Sequence, residues 1–420
     1  MSRSLQTTLL LASTMLLVST IGSVVCDFHL AAFSMIADNL SHQSLSSESA
    51  YNFAQLTIAC FLVPYAIGGF FAGPLADQFK KNRLILIGLI LALASSIVCA
   101  LANHFYVLLF FRALQGLGTA LAAITIRSML TSLYKGQELK RMSDIFSIIA
   151  PVLFTLSPAL GTYSFNATQS WRALFLLLAG YITVVTILCI RSQKAFPSHQ
   201  PSCQTPFFQR FIRDSQTILK HQDYLGNLAV FCLTTFMVMS VVVQMEVIFI
   251  QHLQCLPNEF ALIQLVLGST WLLGAGLNWW LNQRLSCSHV VSIGCTISII
   301  SFLALSLSIN ILPPLFLAVF IPLALFNFSM PLIFANTFLK CIKPFKKEAG
   351  TANAIMNLCQ YAASGLGALL TALLTHANTS PQWPICLFGL PIMSIALVIN
   401  IAVNQKNHST LTPQLKINQQ

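Results

Sequence analysis

FYVLLFFRALQGLGTALAAITIR, residues 105–127, decides the fold. An α-helix needs about 20 predominantly apolar residues to cross a hydrocarbon core about 30 Å thick, and Arg112 is the only charge in this stretch before the closing Arg127. Helical spacing puts Arg112, Gln115 and Thr119 on one face, while Gly116 and Gly118 permit close approach of a neighbouring helix. An arginine at the centre of a membrane helix costs about 2.5–3.5 kcal/mol on insertion scales. A chain that keeps one there holds it for a purpose.

Apolar runs of the same kind fill the rest of the chain. They lie near residues 8–37, 51–73, 83–102, 104–130, 144–165, 171–190, 225–251, 258–281, 289–309, 312–339, 349–375 and 383–404. Of the 420 residues, 56% are hydrophobic and 8% charged, against roughly 25% charged in a soluble domain; the mean hydropathy is +0.76. The reading is an all-α membrane protein with twelve transmembrane helices in two pseudo-symmetric six-helix bundles. Residues 1–190 form the first bundle, 191–224 a hydrophilic central linker, 225–404 the second bundle and 405–420 a tail. The apolar opening of the chain resembles a signal peptide, but it continues past Asp27 to about Ala37 without a small-residue cleavage site, and it reads as the first span.

The net charge of +11 does not point to nucleic acid, because the basic residues follow the loops. Lys80, Lys81 and Arg83; Lys135, Lys140 and Arg141; Arg191 to Lys220; Arg284; Lys340 to Lys347; and the tail lysines all fall at one side of a twelve-span topology. By the positive-inside rule that side is the cytoplasm, and both termini lie there. Arg172, at the outer start of span six, and Arg112 stand apart from the pattern. The 12 cysteines are scattered singly, without CxxC or metal-ligand spacing, and read as packing residues. No metal, cofactor or nucleic acid is implied; the expected partners are the lipid bilayer and a small-molecule substrate, and the chain is expected to act as a monomer.

Landmarks of the first half recur in the second, as in transporters built from parallel repeats. Trp171 opens span six and Trp383 opens span twelve; the basic loop Lys135–Arg141 corresponds to Lys340–Lys347; Asp27 in span one is matched with Glu246 in span seven. Two such halves enclose a midplane cavity that opens to either side as they rock. Asp27 shares a helix face with Thr20, Ser23 and Ser34, so this face is expected to line the cavity. At 1.5 Å of rise per residue, Asp27 and Arg112 reach similar depths. Desolvation and a nearby guanidinium pull a carboxylate toward opposite protonation states, so a change of surroundings during rocking makes Asp27 load and release a proton. A static buried ion pair that fixes helix register is the competing reading. The expected cavity set is Ser23, Ser34, Gln115, Thr119, Glu246 and Asn327, with Glu246 either a substrate contact, a second proton site or a structural residue. His29, two residues from Asp27, falls on another face and reads as packing.

Several motifs then converge. Gly73-Pro-Leu-Ala-Asp77-Gln-Phe-Lys-Lys81-Asn-Arg83 follows span two, with an acid placed to cap a helix and pair with basic groups as a conformational latch. Arg112-Ala-Leu-Gln115-Gly116-Leu-Gly118 lies in span four; Ala150-Pro151 and Ser157-Pro158-Ala-Leu-Gly161 lie in span five; Asp27-Phe-His-Leu-Ala31 lies in span one; and Ala349-Gly350-Thr351-Ala352-Asn353-Ala354 with Gln360 enters span eleven. Together they resemble the major facilitator superfamily, and more closely its drug/proton antiporter branch, which includes bicyclomycin-resistance and chloramphenicol-efflux proteins. The chain departs from that pattern at Gln78 and Lys80 in the latch, at Ala31 where proline is usual, and at Thr162 where a second glycine is usual.

The resemblance implies a bacterial inner-membrane protein that exports drug-like or amphipathic molecules by alternating access, driven by the proton gradient. It assigns proton coupling to Arg112 with Asp27, the latch to Gly73, Asp77, Lys81 and Arg83, and the exporter motif of span five to Pro151, Pro158 and Gly161. A carrier of one metabolite or siderophore, exporting or importing, is the alternative, and a transport-inactive receptor or scaffold a remote one. An enzyme is not expected, since no paired nucleophile and base is visible.

Overall fold

The computed structural model describes residues 3–40, 47–133, 152–153, 156–192, 207–309, 315–345, 349–375 and 382–417. Among them the chain is helical: α1 (Arg3–Asp27), α2 (Phe33–Leu40), α3 (Ser47–Gln78), α4 (Lys81–Leu101), α5 (Phe105–Leu133), α6 (156–168), α7 (Trp171–Ser192), α8 (Phe207–Leu219), α9 (Gln222–Glu246), α10 (Pro257–Leu281), α11 (Cys287–Ser308), α12 (Phe316–Ile342), α13 (Ala349–Leu374) and α14 (Trp383–Ile417). Eleven of the helical segments are long and apolar enough to cross a membrane. The fifth predicted span is described over 156–168. In lipid a backbone can satisfy its own polar groups only by such closed ladders, and side chains such as Ile87, Ile90, Leu101, Leu273 and Leu307 point outward, where lipid rather than water receives them.

Three elements differ from the periodicity. Span one is not one helix: α1 stops at Asp27, a turn and a 3₁₀ segment Leu30–Ala32 follow, and α2 resumes at Phe33. Span seven widens at its end into a π turn, Val247–His252. The predicted linker contains an amphipathic helix, α8, whose Phe211 and Ile218 enter a core with Tyr224, Phe231 and Phe345, and whose Phe211 ring meets Phe70 of α3 edge-on, 5.2 Å between centroids. In the tail, α14 runs on to Ile417.

Helices α1, α3, α4, α5 and α7 pack on one another, as do α9 to α14, and α3 packs along α13 between the two groups. Glycine sets the closest crossings. A side chain at Gly161 of α6 would meet the backbone carbonyl of Phe28, and one at Gly367 of α13 that of Phe236; Gly116 of α5 sits against the carbonyl of Phe61, and Gly274 of α10 against that of Phe328. The crossings of spans one and five, and of two and four, therefore recur as seven and eleven, and as eight and ten. The last pair carries its glycine on the opposite helix. This geometry changes one match made from sequence: if Phe28 corresponds to Phe236, Asp27 corresponds to Thr235 and Glu246 to Asp38, rather than Asp27 to Glu246.

Gly367→Val is expected to lower stability by about 1–3 kcal/mol, the usual penalty of forcing bulk into a packed crossing. A thermal melt of the detergent-purified protein followed by size-exclusion chromatography measures it; Gly276→Val, at a glycine with open space around it, is the control expected to melt near wild type.

Candidate functional site

The interruption of span one creates the site. A helix end leaves its last carbonyls without intrahelical donors, and inside a membrane they must be satisfied by protein. Three are. Arg112 Nη1 donates to Val25 O at 3.2 Å and Nη2 to Cys26 O at 3.2 Å, and Ser157 Oγ of α6 donates to Val24 O at 3.0 Å. The same guanidinium donates from Nε to Thr57 O at 3.3 Å and from Nη1 to Gln115 Oε1 at 2.7 Å, and lies over the Phe61 ring at 4.6 Å. A positive charge at a helix C-terminus is also favoured by the helix dipole. Arg112 is thus fully buried, and its hydrogen bonds fasten the broken helix.

Asp27, the last residue of α1, is 1% exposed, and its Oδ1 has no hydrogen-bond partner among the described residues. It lies on the wall of a partly open cavity. Leu30 and Pro158 join it from the first six spans; Val242 and Met245 of α9, Gln264 and Trp271 of α10, and Asn327 of α12 close the cavity from the last six. Asn327 Nδ2 donates to Leu323 O at 3.1 Å, which leaves its oxygen for other partners. Gly161 lets α6 press on the Phe28 carbonyl, so the span-five motif supports the same turn. His29 is buried beside it, with Nε2 2.8 Å from Thr57 Oγ1 and its ring against Phe33 and Phe175, a packing position.

Several residues assigned to the cavity from sequence lie elsewhere. Gln115 is buried between α5 and α4, where its Nε2 donates to Ser96 Oγ at 2.6 Å; Thr119 is buried and donates back to Gln115 O at 2.8 Å. Their shared face with Arg112 points into the first group of helices because Gly88 and Gly118 bring α4 and α5 into contact there. Ser34 and Glu246 meet each other instead: Ser34 donates to Glu246 Oε1 from its backbone N at 3.2 Å and its Oγ at 2.9 Å. The carboxylate sits at the first turn of α2, where a negative charge is favoured. Ser23 is half-buried. In the latch segment Gly73 is half-buried, Lys81 is buried at the start of α4 and Arg83 is exposed. The Asp77 side chain and Pro151 lie outside the described residues.

The contact of Ser34 with Glu246 is one of several that tie the two groups of helices at the end opposite the chain termini. Gln55 Nε2 donates to Gln244 Oε1 at 3.0 Å and to Val243 O at 3.2 Å; Thr162 Oγ1 donates to Gln264 Oε1 at 2.7 Å; Asn166 Nδ2 donates to Asn258 Oδ1 at 2.9 Å. Within the second group, Thr375 Oγ1 donates to the same Gln244 oxygen at 3.2 Å. Apart from Ser34 and Thr162, these amides and hydroxyls do not stand out in the sequence by charge. Uncharged amides inside apolar runs, at Gln55, Gln244 and Gln264, are the signal that marks them.

The profile of the Major Facilitator Superfamily matches residues 9–368. The chain belongs to that superfamily. Multidrug resistance protein D of Escherichia coli (strain K12) is 23% identical to it over 340 residues, covering 77% of this chain and 80% of that protein. The bicyclomycin resistance protein homolog of Haemophilus influenzae is 21% identical over 359 residues, covering 85% and 87%. Among solved structures, a D-xylose–proton symporter superposes with a TM-score of 0.73 at 15% identity, over 91% of this chain and 96% of that one. As a member of this superfamily the chain is a multi-pass membrane transporter.

Proposed function

We propose that the protein is a proton-coupled exporter of drug-like or amphipathic small molecules that works as a monomer by alternating access, with Asp27 as the residue that exchanges the proton. The observation that carries the reading is a buried carboxylate, with one oxygen that has no hydrogen-bond partner among the described residues, on the wall of a cavity lined from both groups of helices. An acid so placed is reached by substrate and by water once the cavity opens; a cationic substrate beside it favours the proton's release, and an emptied, desolvated cavity favours its uptake. Residues 1–190 and 225–404 are the two moving halves, 191–224 joins them, and the end that bears the termini is cytoplasmic. The distal hydrogen bonds then close the outer side, and their rupture opens it. Each proton moved across 100 mV supplies about 2.3 kcal/mol, enough to drive uphill efflux of a compound that also partitions into lipid.

Purified protein in liposomes tests this. An imposed pH gradient is expected to drive ethidium or a similar amphipathic dye against its concentration gradient, with collapse on addition of a protonophore. Gradient-independent flux of one metabolite, with no amphipathic dye moved, would replace this reading with a specialised carrier.

Glu246 gives a further expectation. Glu246→Gln keeps an oxygen at the first turn of α2 and should transport within about threefold of wild type, whereas Glu246→Leu removes the acceptor of two hydrogen bonds from the half-buried Ser34, at a cost of about 1 kcal/mol or more. Initial dye flux in the same liposomes separates the two; equal rates would show that the distal tie at Ser34 is dispensable.

A further inference from the structure

One carboxamide in the cavity wall is oriented from the opposite half. Gln264 is 5% exposed and lines the cavity. The hydroxyl of Thr162 carries one proton and lies closer to Gln264 Oε1, 2.7 Å, than to its own helix carbonyl at Pro158, 3.0 Å. Oε1 is therefore occupied, and Nε2 is the free group; it has no hydrogen-bond partner among the described residues. A buried amide donor left without an acceptor is unfavourable, so this site is completed by a molecule that brings one. Gln264, Leu267, Gly268 and Trp271 recur at helical spacing along the cavity side of α10. They put the donor at one end of an apolar, aromatic strip.

We propose that Gln264 determines specificity: its Nε2, held in place by Thr162, donates to a carbonyl-type oxygen of the substrate while an apolar aromatic frame lies along Leu267 and Trp271. The ligand class is carbonyl-bearing amphiphiles, preferred over molecules of the same shape that lack the acceptor and enter by their apolar surface alone. This rests on the cavity being the transport site, and it adds what the cavity discriminates.

The test is equilibrium binding to the full-length protein in detergent at fixed pH, without a gradient, using benzanilide and N-benzylaniline, which differ by one carbonyl. Wild type should prefer benzanilide by about tenfold, the size of one net hydrogen bond. Gln264→Met, of similar volume, should bring the ratio to about 1, and Thr162→Val, which frees the carboxamide to turn, should reduce it. If Gln264→Met does not fold, Gln264→Glu replaces the donor by an acceptor and should reverse the preference. A ratio near 1 in wild type, absence of benzanilide binding, or a preference that survives in Gln264→Met or Gln264→Glu overturns the proposal. Because no gradient is applied, failure of proton coupling at Asp27 would leave this result untouched.

Discussion

Asp27→Asn is expected to reduce pH-driven dye transport in liposomes to the level of protein-free vesicles. Asparagine has the shape of the protonated acid and neither loses nor gains a proton, so the variant should fold with a stability within about 1 kcal/mol of wild type and still bind substrate in the cavity that Asp27 lines. It should also retain exchange of substrate down its own gradient, since rocking of a neutral cavity needs no proton. A variant that neither folds nor binds would mean that Asp27 serves the architecture of the broken helix; a variant that pumps normally would remove it from coupling altogether.

Arg112 should fail differently. Its Nη atoms hold the Val25 and Cys26 carbonyls, and its Nε holds Thr57 O. Arg112→Ala leaves these acceptors inside the membrane at about 1–3 kcal/mol each, which for a domain of ordinary stability, about 5–15 kcal/mol, is enough to remove most folded protein from the membrane. Arg112→Lys keeps the charge but replaces a planar fork by a point donor, so one carbonyl stays capped and the turn at Asp27 is displaced. The expected result is folded protein with transport at background. Yield and melting temperature from size-exclusion chromatography, set beside flux, check both. Arg112→Lys with full activity would show that the positive charge alone suffices, as a simple ion pair with Asp27 requires.

That contrast shows what the sequence made legible. Charge in an apolar run is a strong signal, because each instance is unfavourable in lipid and demands a cause; Asp27, Arg112 and Glu246 stand out for that reason, and all three are buried. Their partners were not legible. The break after Asp27 occurs at Phe28 and His29 without the proline that usually marks such a turn, and it is held by Arg112 and Ser157 from helices far away in sequence. Periodicity placed Gln115 and Thr119 beside Arg112 correctly, but it cannot say which side of a helix faces the cavity and which faces a neighbour; close packing at Gly88 and Gly118 decided that. Glu246 and Ser34, assigned separately to the cavity, turned out to be partners. The fold itself needed only the lengths of the apolar runs and the placement of basic residues between them.

The most direct test of the account is proton release on substrate binding. Wild-type protein in weakly buffered detergent solution, mixed with a transported dye, is expected to release protons in proportion to the site occupied, and Asp27→Asn, at equal occupancy, to release none. Equal proton release from both proteins would contradict the account, because the proton would then leave from another group and Asp27 would not be the residue that couples the gradient to transport.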